Sequence, residues 1–128
     1  MTLGELRQAL LALRAPDFRV SGEDPLVVDV VLGDRHQEVR ILDDGDWFLV
    51  RSHVCRFDDL GMSEQDLAEE VFRRNHEREF LAFGRADGHV VGWIDLPSDV
   101  SVDELTAHLR RLATECDRWE ARLTGEDR

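Results

Sequence analysis

Five histidines and two cysteines have the widest chemical repertoire in this chain, so their spacing is the first test of a reaction or a bound ion. Ser52 and His53 are adjacent, and neighbours on an extended strand point to opposite sides, which denies the hydroxyl its base unless the strand is bulged. Cys55 has the same parity as His53. A thiol becomes a nucleophile when a cation or a helix N-terminus lowers its pKa, and neither is evident around Cys55. His53 and His89 are expected to share a sheet face with Trp93, with His36 as a possible third member, but no histidine and carboxylate stand in a ligand spacing such as His-Glu-x-x-His. His76-Glu77 ends an acidic helix, where an imidazole serves the negative end of the dipole. Asp43-Asp44 and Asp58-Asp59 read as turns and caps, because calcium needs a denser ligand loop. The glycines are dispersed and form neither a phosphate loop nor a dinucleotide fingerprint. Cys55 and Cys116 are too few for a disulfide scaffold and read as buried free thiols. The expectation is a non-enzyme with no catalytic residue, cofactor or metal. A small-ligand or metal-binding domain using the histidine-bearing face is the alternative.

The elements that carry these residues are organised around Asp46-Trp47-Phe48-Leu49-Val50-Arg51-Ser52-His53-Val54-Cys55-Arg56-Phe57. Alternation places Phe48, Val50 and Val54 on one face and Trp47, Leu49, Cys55 and Phe57 on the other, so both faces carry large apolar groups. Before this strand, Thr2 and Glu5 stand in capping-box spacing ahead of Leu3, Leu6, Leu10 and Leu13, which predicts an amphipathic helix stopped at Pro16. A short strand around Phe18-Arg19-Val20 is possible. The aliphatic run Leu26 to Leu32 and the alternating Val39 and Ile41 predict two strands that complete a meander with the Trp47 strand.

After the meander, Ser63 caps a helix with acidic residues in its first turn, Arg73 and Arg74 towards its end, and a thin apolar edge of Leu67, Val71 and Phe72. Asp87-Gly88 is a two-residue hairpin signal between Phe80-Leu81-Ala82-Phe83 and Val90 to Leu96, with Val90, Ile94 and Leu96 on one face and Val91 and Trp93 on the other. Ser101 and Glu104 open the last helix, where Val102, Leu105, Leu109, Leu112, Cys116, Trp119 and Leu123 recur at alternating three and four. That seam suits a long helix lying on its own sheet better than a coiled coil. The predicted fold is α+β, a single domain over 1–128 in the order α-β-β-β-α-β-β-α, with an antiparallel sheet flanked by helices.

Composition narrows the partners. The formal charge is −12 and the pI is near 4.7, which opposes a phosphate backbone because affinity there comes from clustered cations releasing counterions. All sixteen basic residues are Arg. No window is apolar enough to span a membrane, and the first residues lack the basic start of a signal peptide, so the expectation is a cytoplasmic protein with neither nucleic-acid nor membrane contact. What remains is apolar sheet surface. With Trp47, Leu49, Val91 and Trp93 together on an outer face, the patch exceeds what soluble monomers leave bare. That predicts a dimer or partner interface with tryptophan anchors. The alternative is a three-layer monomer with the first helix on one face and the last on the other.

The element order, the acidic character and the phrases Asp46-Trp47-Phe48-Leu49-Val50-Arg51 and Gly92-Trp93-Ile94-Asp95-Leu96-Pro97 resemble the YbjN-like family, whose fold looks like that of class I type III secretion chaperones. The resemblance spans nearly the whole chain. It implies a bacterial, non-enzymatic homodimer that binds another protein, in secretion chaperones by holding an extended client segment against apolar patches. For YbjN-like proteins it implies a role in stress response or regulation.

Overall fold

The computed structural model describes residues 1–77 and 82–125. Its elements are α1 (Leu3–Leu13), β1 (Phe18–Ser21), β2 (Leu26–Leu32), β3 (Arg35–Asp44), β4 (Trp47–Arg56), α2 (Glu64–Glu77), β5 (Ala82–Ala86), β6 (His89–Pro97) and α3 (Val102–Leu123), with a 3-10 turn at Phe57–Asp59. The fold is α+β, and the short strand near Phe18 is present as β1. Phe80 and Leu81 lie outside the described residues, as do the side chains of His76 and Glu77.

One antiparallel sheet of six strands runs in the order β1-β2-β3-β4-β6-β5. Its hairpins form where the sequence supplies residues tolerant of positive φ. Asp87 and Gly88 sit at 51° and 75°, the left-handed pair that matches strand twist in a two-residue loop. Gly33 and Gly45 do the same for the two earlier turns, at 68° and 70°.

The helices lie on one side of this sheet. α3 packs on β2, β3, β4 and β6, α1 touches α3 and β1, and α2 closes on β5. Within α3, Leu105, Leu109, Leu112, Cys116, Trp119 and Leu123 are sealed against the sheet, so the seam serves the protein's own core. Its four leucines alone gain about 6–12 kcal/mol of gross transfer free energy. Opposite them lie Leu26, Val28, Val30, Val39, Ile41, Phe48, Val50, Val90, Ile94 and Leu96.

Helix starts follow the sequence signals. The Thr2 hydroxyl accepts from Glu5 N–H and the Glu5 carboxylate accepts from Thr2 N–H, each at 3.1 Å. Ser63 and Ser101 accept from the amides of Asp66 and Glu104. The middle helix departs from expectation on its apolar edge. Leu67 is buried, but Phe72 is 76% exposed, because α2 meets only the β5 edge and leaves Phe72 at the rim of an open groove with Gly84 and Arg85. Asn75 locks that arrangement: its side chain donates to the Phe83 carbonyl at 2.9 Å and accepts from the Phe83 amide at 2.6 Å, standing in for a neighbouring strand.

Candidate protein-binding surface

Among the described residues the helices lie on one side, the other face of the sheet is open, and the three-layer arrangement does not occur. The outward positions of β4 are Trp47, Leu49, Arg51 and His53, and those of β6 are Pro97, Asp95, Trp93, Val91 and His89, set side by side by the register Trp47↔Pro97, Leu49↔Asp95, Arg51↔Trp93 and His53↔Val91. β3 adds Arg40, Leu42 and Asp44 opposite Arg51, Leu49 and Trp47.

The four expected surface residues share this face but do not merge into one patch. Trp47 is 48% exposed, and beside it Leu49 is half-buried and Leu42 is 37% exposed. Trp93 is half-buried and sets the Cη2–Cζ3 edge of its ring against Gly84, whose missing side chain makes its seat, since a Cβ there would fall 2.5 Å from both of those atoms. Val91 faces outward yet keeps only 4% of its surface accessible, enclosed by its neighbours. Between the two ends sits Arg51, with its guanidinium 5.6 Å from the Trp93 ring centre and 3.0 Å from the Asp95 carboxylate. Leu42 and Arg51 were not singled out from sequence. Their outward parity on β3 and β4 was the available signal.

A bulge corrects one expectation. The register slips between His53 and Cys55, so Val54 and Cys55 both turn towards the core and are buried. Two residues then oppose one on β6, as in any such insertion. Cys55 therefore does not share the outer face with Trp47, nor His53's side of the strand. Phe57 also leaves that face, since it lies in the 3-10 turn under the Arg85 guanidinium, 4.5 Å from its ring centre.

The bulge also brings His53 and His89 into a stack, with ring centres 4.1 Å apart and planes 16° from parallel. Burial first, and then the neighbouring imidazole, hold His53 below the usual histidine range. The pair borders a cavity of about 580 Å³ that also reaches Cys55, Arg56, Asp59 and Glu120. His36 does not join them, because its Nδ1 lies 2.9 Å from Asp29. Among the described residues, no three of His, Cys, Asp and Glu converge as metal ligands. Burial pushes the Cys55 thiol up to about 11 and the Cys116 thiol up to about 12, so neither is poised as a nucleophile.

The charge of the outer face differs from that of the chain. Outward strand positions carry Arg19, Arg40, Arg51 and Arg56 against Asp29, Glu38, Asp44 and Asp95, a balance of zero. The formal −12 therefore resides on the remaining surfaces.

No family model matches the chain, and no curated protein matches it. Among solved structures it is similar to a chain in the crystal structure of the ExsC-ExsE complex, with a TM-score of 0.67 over 94% of this chain and 92% of that one. The fold is type III secretion chaperone-like. At 19% identity the likeness is one of fold. No described helix is long and apolar enough to cross a membrane.

Proposed function

We propose that this chain is a non-enzymatic, chaperone-like adaptor, a cytoplasmic homodimer that holds a protein partner against the outer face of its sheet through Trp47, Leu49, Val91 and Trp93. The observation that carries the reading is Trp47, half-exposed beside Leu42 and Leu49 on a sheet face that no described helix covers. A half-exposed tryptophan beside aliphatic neighbours is the composition of an interface anchor. Val91, almost enclosed, contributes as the floor of the Trp93 end. The zero charge balance of this face lets a partner approach without meeting the acidic surfaces. The fold neighbour was solved in a complex, which supports a protein partner. We extend the proposal to a YbjN-like relationship, with a role in stress response or regulation, on the phrases around Trp47 and Trp93.

The test is Trp47→Asp and Trp93→Asp, each checked for a native circular dichroism spectrum and melting curve. Sedimentation should show loss of the dimer or of a purified partner's complex. Unchanged mass and unchanged partner capture by both folded variants would sink the proposal. A second reading, a small-ligand or metal site, is favoured by one observation, the His53–His89 stack beside its cavity. Elemental analysis of the purified protein decides it, because no stoichiometric metal and no melting shift on adding zinc or nickel would end the idea.

A further inference from the structure

The outer face has a polar middle. Arg40 on β3 and Arg51 on β4 are direct cross-strand partners, and like charges set opposite one another destabilise a sheet unless an anion relieves them. Each has found one carboxylate: Arg40 Nε donates to Glu38 at 2.8 Å and Arg51 Nη1 donates to Asp95 at 3.0 Å. Arg51 Nη1 also donates to the Val50 carbonyl at 3.3 Å; a guanidinium has five N–H donors in a planar fork, so these contacts still leave most of both forks unspent. A cavity of about 200 Å³ opens between them, lined by Gln37, Glu38, Arg40, Arg51 and His53. On a chain of −12, a pit walled by two guanidiniums and one carboxylate is a local reversal of sign.

Apolar ground flanks the pit along one oblique line. Leu42 faces Leu49 one step along the strands from Arg40 and Arg51, while Val91 lies one step beyond them on the next strand. Two residues advance about 6.7 Å along a strand and the neighbouring strand is about 4.8 Å away, so the path from Leu42 through Arg51 to Val91 crosses the sheet at about 35°. Two packed sheets hold their strands about 30° apart; an extended chain presents every second side chain to the surface below it, about 6.7 Å apart, and side-chain reach spans the difference from the about 8.2 Å between stops on this path. Resting on the outer-face reading above, we infer that the Arg40–Arg51 pit takes one carboxylate of an extended partner segment, apolar at position i, Asp or Glu at i+2 and apolar at i+4. The first apolar residue sits on Leu42 and Leu49, and the second sits on the Trp93 ring where it reaches Gly84 beside the enclosed Val91. Charge-assisted, forked Arg–carboxylate bonds are the strong ones among hydrogen bonds. The chain's other charges oppose such a segment only weakly, because they are screened over about 8 Å at physiological salt. Runs of acidic residues gain nothing from a single pit and are rejected.

The probe is the synthetic peptide acetyl-Val-Thr-Leu-Thr-Glu-Thr-Leu-Thr-amide, with versions carrying Gln or Lys in place of Glu. Binding to the full chain is followed by NMR of the arginine Nε–H and tryptophan indole signals. The Glu peptide should bind about tenfold more tightly than the Gln peptide. Arg40→Gln, at a half-exposed position, should weaken the Glu peptide more than the Gln peptide and so remove that preference, with a native circular dichroism spectrum showing that the fold is kept. Equal binding of the Glu and Gln peptides, or tighter binding of the Lys peptide, would overturn the inference and leave outer-face docking standing. If no peptide shifts any outer-face signal, the inference and the docking reading both fall.

Discussion

At Gly92 the sheet leaves no room for a Cβ beneath α3, and replacing it with alanine measures how much that fit matters. An added Cβ would lie 2.6 Å from the Cys116 sulfur, 3.1 Å from a Phe83 ring carbon and 3.2 Å from a Leu112 methyl. All three side chains are sealed in the core, so none can swing aside and the helix itself must lift. Overpacking of this kind costs about 1–3 kcal/mol, and alanine returns about 0.4–1 kcal/mol by stiffening the unfolded chain. At the midpoints of these ranges the net for Gly92→Ala is a loss of about 1.3 kcal/mol. For 128 residues the unfolding entropy is about 0.27 kcal/mol/K, so the melting temperature should fall by about 5 °C. Gly84→Ala on the same β-layer is the control. Its Cβ also meets a side chain at 2.5 Å, but that side chain is the half-buried Trp93 ring, which can swing outward. Its expected cost is under about 1 kcal/mol, with a red shift in the Trp93 emission as the ring leaves its seat. Calorimetry and fluorescence read both variants. A Gly92→Ala protein that melts within a degree of the parent, or a Gly84→Ala protein that loses more stability than it does, would refute the reasoning.

Three further outcomes follow from the geometry. Asn75→Ala removes both side-chain bonds to the Phe83 backbone and should cost about 1–3 kcal/mol in urea titration, with faster aggregation because the β5 edge is uncovered; a stable, soluble variant would count against edge protection. His53 is held below the usual histidine range by burial and by His89, so the unfolded chain binds its proton more readily than the folded one. The stability contributed by neutral His53 is then complete above pH about 6.5 and lost as pH falls towards the lower folded value; an NMR titration placing His53 at or above that reference would refute the assignment. Cys55 and Cys116, with thiols near 11 and 12, should resist iodoacetamide at pH 8 in the folded protein and react once urea is added, and rapid labelling without urea would contradict their placement.

Periodicity made much of this fold legible. The three-and-four spacing from Leu105 to Leu123 marked the core face of α3 residue by residue, and the Asp87-Gly88 pair located its hairpin because only residues tolerant of positive φ close that loop. The Val54 bulge left no such trace. A strand written without it assigns Cys55 to the outer face, and the single inserted residue reverses every parity after it. Phe72 misled for a different reason: helical spacing placed it near Leu67 and Val71, but which part of a thin stripe is covered depends on how α2 meets the β5 edge. For the candidate surface, outward parity identified Trp47, Leu49, Val91 and Trp93 as one set. Their division by Arg51 and the enclosure of Val91 depend on cross-strand neighbours, which no single strand's sequence specifies.

An open apolar face is a hazard for a small acidic domain unless unwanted contacts are blocked, and the distribution of charge and of strand edges does this. The −12 lies away from the outer face, so random encounters between copies meet like charge on most orientations while the sheet face itself presents no net barrier. Edge pairing is checked separately. Asn75 occupies backbone groups of Phe83 on β5, and β1, the other edge, is only four residues long, two of the devices that keep sheet edges from recruiting foreign strands. With both edges managed, the proposed partner would meet the face instead of the ladder. Affinity must then come from side chains, which is where Trp47, Leu49, Trp93 and the arginine pair stand. A partner that bound by strand addition would be insensitive to Trp47→Asp and sensitive to changes along β1, the opposite of the dependence this surface predicts.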